Sequence, residues 1–100
     1  MAEVVWTEPA LQELEAIAEY IALDDPATAN RLVQEVFEKT ECVEDFPQSG
    51  RILPEIPGSV YREILVSPCR VFYREEESDI IVLYVMREER QLRAHLLGIR

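Results

Sequence analysis

The chain has 100 residues, of which 48% are hydrophobic and 30% are charged, as is typical of one water-soluble folded domain. Its formal net charge of −10 opposes non-specific binding to nucleic acid, because affinity for a polyanion depends on neutralising its phosphates. It contains no apolar run near the roughly 18 residues of a membrane span and no signal-peptide pattern, so we expect a single domain over residues 1–100 that works in the cytoplasm without a membrane.

The first quarter of the chain predicts a short strand and a helix. The strand is expected over Glu3–Trp6. Thr7 is suited to cap a helix, and Pro9 is tolerated in its first turn. Apolar side chains then recur three and four positions apart, which predicts an amphipathic helix from about Glu8 to Leu23.

A second helix is predicted directly after a short break. Asp25 can cap it, and Pro26 suits its first position. Apolar residues continue at helical spacing for nearly five turns, until Phe46-Pro47 and Gly50 end the helix. Because the link between the two helices is so short, they should pack as an antiparallel hairpin.

After Gly50 the pattern becomes strand-like. Arg51–Pro57 predicts an irregular or edge segment with two prolines. Three strands are expected near Tyr61–Val66, Arg70–Glu75 and Ile80–Met86, and their short links make successive strands antiparallel. A last short helix is expected over 90–97. The predicted class is α+β, in order β-α-α-β-β-β.

The helical hairpin should cover one face of the sheet and leave the other face, or its rim, to the arginines. We expect Trp6, Tyr20, Phe37 and Phe46 in the core, whereas Tyr61 and Tyr73 could point toward a ligand. The aliphatic and aromatic core is predicted to include Leu14, Ile17, Ile21, Leu32, Val36, Phe37, Val71, Val82 and Leu83.

The two cysteines predict no metal site. Cys42 and Cys69 lack a C-x-x-C spacing and a companion histidine cluster, which excludes the usual zinc patterns. We interpret both as reduced, partly buried thiols, and we expect neither a metal nor another cofactor.

The charge distribution is uneven. The first fifty residues carry twelve carboxylates and two bases, whereas the last fifty carry eight of each. Nine of the ten bases are arginine, whose planar, forked guanidinium suits carboxylates and phosphates. The bases after Gly50 are Arg51, Arg62, Arg70, Arg74, Arg87, Arg90, Arg93 and Arg100.

Ordered short motifs along nearly the whole chain resemble one known family. They are Val5-Trp6-Thr7, Ala10, Leu14, Ile17-Ala18-Glu19-Tyr20-Ile21-Ala22, Asp25-Pro26, Ala29, Leu32, Phe46-Pro47, Gly50-Arg51, Arg62-Glu63, Arg70-Val71-Phe72-Tyr73-Arg74 and Val85-Met86-Arg87-x-x-Arg90-x-Leu92. In their order and spacing they resemble the RelE/ParE family of type II toxin–antitoxin toxins. The resemblance implies two helices packed on a three- or four-stranded antiparallel sheet, and a small antitoxin that wraps and neutralises the toxin.

The resemblance leaves two targets open. One branch cleaves mRNA, in the best-known cases on the ribosome, and the other inhibits DNA gyrase and is associated with plasmid stabilization. If the chain were a ribonuclease, the implied catalytic residues would be Arg62, Arg74 and Arg87. The implied antitoxin- or target-binding residues are Arg51, Arg62, Arg70, Arg74, Arg87 and Arg90.

The sequence favours the gyrase-inhibiting branch over the nuclease branch. Arg87 stands where many relatives have histidine, and no tyrosine follows Tyr84. RNA cleavage at the 2′-OH needs an acid and a base, which arginine cannot supply near neutral pH. His95 lies in an apolar stretch and is expected at a surface or helix end. The alternatives are an mRNA endoribonuclease and a non-toxic module that only binds its antitoxin.

Ordinary structural roles compete with these functional ones. Arg62 with Glu63, and Arg74 with Glu75, could form ion pairs across the sheet. A set of glutamates at helical spacing on the second helix is interpreted as a solvated face. That set is Glu35, Glu38, Glu41 and Glu44.

Overall fold

The computed structural model of the chain describes residues 3–90. It begins with strand β1 (Val4–Trp6) and helix α1 (Glu8–Ala22). The Thr7 hydroxyl accepts a hydrogen bond from the Ala10 amide at 3.4 Å and so caps α1.

Helix α2 (Pro26–Asp45) follows after a short turn. The Asp25 side chain caps it by accepting a hydrogen bond from the Thr28 amide at 3.2 Å. Hydrogen bonds with Thr28 lower the pKa of the Asp25 carboxyl, because they favour its charged form. The predicted helical hairpin is confirmed to within a residue or two at each end.

Four more strands complete the described part of the chain: β2 (Arg51–Ile52), β3 (Arg62–Val66), β4 (Cys69–Glu76) and β5 (Asp79–Arg87). The three long strands lie where the sequence predicted them and pair antiparallel. With β1 and β2 they form one sheet in the order β1-β5-β4-β3-β2.

The sheet has five strands and is mixed, which differs from the three or four antiparallel strands expected. β1 pairs parallel to β5, with Val4 opposite Ile80 and Trp6 opposite Val82. More than seventy residues separate these strands in the chain, so no short turn dictates their direction. The pairing makes β5 an interior strand, which accounts for its apolar character on both faces.

The main core lies between the helices and one face of the sheet. Val36 and Val71 are completely buried there, and the Trp6 and Phe37 rings pack with centroids 4.9 Å apart. The predicted core residues that are confirmed on this face, fully or partly buried, are Leu14, Ile17, Ile21, Leu32, Val36, Phe37, Val71 and Val82.

A second, smaller cluster lies on the opposite face. Leu53 packs on Phe72 and Met86 on this face, and Leu83 lies partly buried at the edge of the cluster. The prediction that Leu83 faces the helices is wrong. Val82 faces the helices, and strand alternation places the next residue, Leu83, on the other side. A register shift at Phe72/Tyr73 inserts one extra residue in β5, so that Tyr84 lies on that side as well.

Three other predictions of burial are also wrong. The side chains of Tyr20 and Phe46 are 68% and 69% exposed, because Tyr20 lies beside Arg87 in an open groove and Phe46 follows the last turn of α2. Cys42 is exposed, whereas Cys69 is buried and both thiols are free. The helical phase thus places Cys42 outside the apolar stripe to which its neighbour Val43 belongs.

Among residues 3–90, no helix combines the length and apolar character needed to cross a bilayer. The helix predicted over 90–97 and the single histidine, His95, fall beyond the described residues, apart from Arg90 at the start of that range.

Candidate functional site

The sheet separates the candidate arginines onto its two faces. Arg62 lies opposite Tyr73 and Arg87 lies opposite Cys69, and both of these partners belong to the core beneath the helices. Since directly opposed residues share a face, Arg62 and Arg87 lie on the helix side. Arg70 and Arg74 alternate with that row on β4 and lie on the other side.

The arginines also lie at two ends of the sheet. Arg74 is five positions beyond Cys69, the residue opposite Arg87. At about 3.3 Å per strand residue, roughly 16 Å therefore separates Arg74 from Arg87 along the sheet. Arg62 lies near the Arg74 end, and Arg90 follows Arg87. The three arginines predicted for a nuclease do not converge on one point.

Arg70 is the centre of a buried ion-pair cluster. Its Nε donates to Glu63 at 2.8 Å, and its Nη1 donates to Glu55 at 2.8 Å. The Glu63 side chain has no exposed surface, and Arg51 donates to it from the far side at 2.8 Å. The guanidinium also lies 5.0 Å from the centroid of the Phe72 ring. Hydrogen bonds with Glu55, and then with Glu63, raise the pKa of Arg70 above its ordinary value.

This cluster gives Arg70 a role in the fold. Glu55 belongs to residues 53–61, which cover part of the sheet, and its ion pair ties that segment to β4. Only 7% of the Arg70 side chain is exposed, whereas Arg51 is 54% exposed. We therefore infer that Arg70 stabilises the fold and does not belong to the binding surface. The sequence suggested Glu63 as a partner of Arg62, and no sequence pattern singled out Glu55.

Arg62 holds the loop that follows α2. Its Nη1 donates to the Gly50 carbonyl at 2.9 Å and to the Gln48 carbonyl at 3.4 Å. The Tyr73 hydroxyl donates to the Pro47 carbonyl and accepts from the Gly50 amide, each at 2.9 Å. Tyr73 therefore points into this loop, and burial raises the pKa of its hydroxyl.

Gly50 is required by this close approach. A β-carbon at position 50 would lie 2.6 Å from Cε1 of the Tyr73 ring, closer than atoms in proteins pack. Because position 50 is a glycine, the loop that follows α2 can pass directly against the Tyr73 ring of β4.

Arg74 is partly exposed and pairs with Glu76 at 2.6 Å. A hydrogen bond with Glu76 raises its pKa, and Tyr61 contributes in the same direction. Its Nε is buried without a hydrogen-bond partner. The ion pairs Arg62–Glu63 and Arg74–Glu75 suggested by the sequence are not among those found, because adjacent strand residues face opposite sides. Glu63 pairs instead with Arg51 and Arg70, and Arg74 pairs with Glu76 on its own strand.

Arg87 lies beside an open groove under the end of α1. It pairs with Glu89, which raises the pKa of Arg87 and lowers that of Glu89. Its guanidinium carbon lies 5.9 Å from the centroid of the exposed Tyr20 ring. The groove, about 440 Å³ in volume, is lined by Ala16, Ile17, Tyr20, Arg87 and Glu89.

Residues 3–90 contain no histidine that could transfer protons beside these arginines. Arg62 faces backbone carbonyls, and Arg74 and Arg87 face carboxylates that they already neutralise. Within residues 3–90, no three side chains of His, Cys, Asp or Glu come together in a way that could hold a metal ion. The described arrangement is suited to binding anionic groups through exposed guanidinium forks.

Together, the helical hairpin on a mixed sheet and the exposed arginines define a small α+β binding domain. Residues 4–92 match the family model described as the ParE toxin of the type II toxin–antitoxin system parDE. The chain belongs to this family and is a RelE/ParE toxin of a type II toxin–antitoxin system, and a type II toxin has a cognate antitoxin as partner.

Individual proteins show the same similarity. Toxin RelE2 of Caulobacter vibrioides is 34% identical over 68 residues, which is 68% of this chain and 73% of that protein. The predicted toxin Y4kP of Sinorhizobium fredii is 33% identical over 90 residues, covering 86% and 88%. A chain from the solved chromosomal ParDE toxin–antitoxin system of P. aeruginosa superposes with a TM-score of 0.70 at 27% identity, covering 87% of this chain and 96% of that one.

Proposed function

We propose that this toxin acts in the cytoplasm by binding and inhibiting DNA gyrase, and that its antitoxin blocks this action by contacting the exposed arginines. The observation that carries the proposal is the separation of Arg62, Arg74 and Arg87. They lie on two faces and at two ends of the sheet, each occupied by its own partner.

The chemistry of RNA cleavage also favours gyrase inhibition over a ribonuclease activity. Attack by a 2′-OH needs a base to accept its proton, an acid for the leaving oxygen and a stabiliser for the charge between them. Arg74 and Arg87 have pKa values raised above an already high ordinary value, so neither exchanges protons near neutral pH. Arginines spread over roughly 16 Å of sheet cannot act together on one phosphate.

Residues 4–92 match a family described as ParE toxin. This match supports the proposal through the resemblance described above, which associates the ParE branch with gyrase inhibition. The second candidate is an mRNA endoribonuclease, which is favoured by the similarity to a toxin named RelE2. The partly exposed Arg62 would then stabilise the charge on the transferred phosphate, at the cost of releasing its loop carbonyls.

Two parallel assays distinguish these candidates. The toxin freed of its antitoxin is added to purified gyrase with plasmid DNA, and separately to translating ribosomes with a defined mRNA. We expect blocked supercoiling or trapped gyrase–DNA cleavage complexes, with intact mRNA. The matched variants are Arg62→Ala and Arg31→Ala, since Arg31 is an exposed arginine on α2 and not part of the sheet.

Codon-phased mRNA cuts that vanish in Arg62→Ala but persist in Arg31→Ala, without any effect on gyrase, would support the nuclease instead. Inactivity in both assays, with tight antitoxin binding retained, would support the non-toxic binding module.

A further inference from the structure

An exposed aromatic side chain lies on a rigidly held loop after α2. Phe46 is 69% exposed, although a phenylalanine normally gains stability by burial. The four residues that follow it are anchored from beneath: Tyr73 bonds to both Pro47 and Gly50, and Arg62 bonds to the Gly50 carbonyl. We refer to residues 46–50 as the Phe46 loop.

The anchoring matters because Tyr73 is itself 1% exposed and fixed in the core. The Ser49 amide also donates to the Phe46 carbonyl at 2.9 Å, which closes the turn. A loop held in this way loses little conformational entropy when a partner binds it. Large aromatic side chains presented on rigid backbone are the usual energetic anchors of protein interfaces.

A shallow groove beside the loop has an acidic rim. Its volume is about 520 Å³, and its lining is Asp45, Phe46, Pro47, Gln48, Ser49 and Glu75.

Two acidic chain segments each contribute one carboxylate to the groove lining, Asp45 from one and Glu75 from the other. Residues 41–48 carry three carboxylates and residues 75–79 carry four, and neither segment contains a base. The lining of this groove contains no base, because Arg74 pairs with Glu76, Arg62 contacts the loop carbonyls from beneath, and Lys39 and Arg51 line a separate groove. The groove therefore presents the Phe46 ring together with the carboxylates of Asp45 and Glu75.

We propose that the Phe46 loop and its acidic rim form a docking surface for a cationic segment of the toxin's protein target, with an apolar pocket that takes the Phe46 ring. The inference rests on the proposed function only in requiring a toxin that acts on a protein. The negative charge of the rim favours a positively charged segment as the binding partner. A nucleic acid is repelled by the rim, and an antitoxin segment that contacts the arginines through carboxylates is repelled as well.

The test uses the full chain, expressed without antitoxin from a titratable promoter. Phe46→Ala should raise the toxin level needed to arrest growth by about tenfold or more, the range expected for an interface anchor. Glu75→Lys should act in the same direction by reversing one charge of the rim. The matched controls are Val60→Ala, an apolar residue 70% exposed elsewhere, and Glu15→Lys, an exposed carboxylate on α1.

Two further measurements make the result specific. Thermal melting of Phe46→Ala should match the wild type, and its affinity for the antitoxin of the adjacent reading frame should change less than threefold. Wild-type growth arrest by Phe46→Ala would overturn the inference, as would an equal loss of antitoxin binding or a wild type that does not arrest growth. If purified gyrase is unaffected while growth arrest still depends on Phe46, the inference stands and only the proposed target is wrong.

Discussion

The guanidinium of Arg70 lies 2.8 Å from a carboxylate oxygen of Glu63, whose side chain is completely buried on the face of the sheet away from the helices. Glu55 and Arg51 complete the cluster. A buried carboxylate is tolerated only when its charge is compensated, so Glu63 depends on these arginines. Residues 53–61 are attached to the sheet by the same cluster.

Removing Arg70 should therefore destabilise the fold. Arg70→Ala leaves Glu63 buried with only the half-exposed Arg51 as partner, and we expect a loss of about 3–5 kcal/mol in the free energy of unfolding. Urea denaturation measures this loss. Arg31→Ala, an exposed arginine on α2, is the control and should change stability by less than about 0.5 kcal/mol. Equal midpoints for the two variants would contradict a structural role for Arg70.

The core on the helix side gives a second prediction. Val36 is 0% exposed, so Val36→Asp buries an unpaired carboxyl and should cost about 4 kcal/mol or more. Gln34→Asp, two positions earlier on the solvent side of α2, should melt close to the wild type. If both variants melt alike, α2 is packed in a different helical phase.

Gly50 should tolerate no side chain. Gly50→Ala would force the new β-carbon against the Tyr73 ring and should cost about 1–3 kcal/mol through displacement of the Phe46 loop. Combined with Tyr73→Phe, which removes the hydroxyl that meets Gly50, the two losses should be less than additive. The readout is the unfolding free energy of the four proteins of this cycle, with Gln48→Ala as a neutral loop control. Strict additivity would mean that the two residues do not interact.

Antitoxin binding should depend on exposed arginines of both faces. We expect Arg74→Glu and Arg87→Glu each to weaken binding by about tenfold or more, because each reverses a charge placed to meet antitoxin carboxylates. Titration calorimetry with the purified antitoxin measures the affinity, and Arg31→Glu serves as the charge-matched control. An effect at Arg87 alone would restrict the interface to the helix side, and three equal effects would exclude the sheet arginines as the interface.

The two thiols should differ sharply in reactivity. Burial raises the pKa of Cys69 from its usual 9.0 to about 11, so this thiol stays protonated and inaccessible at pH 8, whereas Cys42 is exposed. Iodoacetamide at pH 8 should modify Cys42 alone in the native protein and both cysteines in urea, as read by mass spectrometry. Fast modification of Cys69 in the native state would contradict its burial.

Ionisation of the Cys69 thiol also makes the stability of the fold depend on pH. Between about pH 9 and pH 11 the unfolded thiol loses its proton while the folded thiol retains it, so this contribution to stability is present below about pH 9 and lost as the pH rises to about 11.

Local features of the sequence were sufficient to predict the two helices and the three long strands. Thr7 and Asp25 cap helices in the structure as their side-chain chemistry predicts, and α2 ends at Asp45, directly before Phe46-Pro47. The apolar spacing of α1 and α2 also identified most of the core, because helical phase depends only on residues a few positions apart. The ordered motifs likewise identified the family over nearly the full chain.

The arrangement of the site depended on contacts between distant residues. Arg70 and Arg74 lie on the same face of the same strand. The segment that carries Glu55 covers and buries Arg70, whereas Arg74 pairs with Glu76 and stays partly exposed. No local pattern predicts which part of a sheet a distant loop will cover.

The sequence by itself determined two capped helices, three antiparallel strands, an arginine-rich second half and the toxin family, since caps, periodicity and ordered motifs are local properties. The tertiary structure alone decided that β1 joins β5 in parallel and that a bulge in β5 leaves Leu83 and Tyr84 on the same face, away from the helices. It also decided that Glu63 neutralises Arg70 and that Phe46 is held in solvent. The physical reason is that burial and charge pairing depend on which distant segments meet, and these meetings are set by the packing of the whole domain.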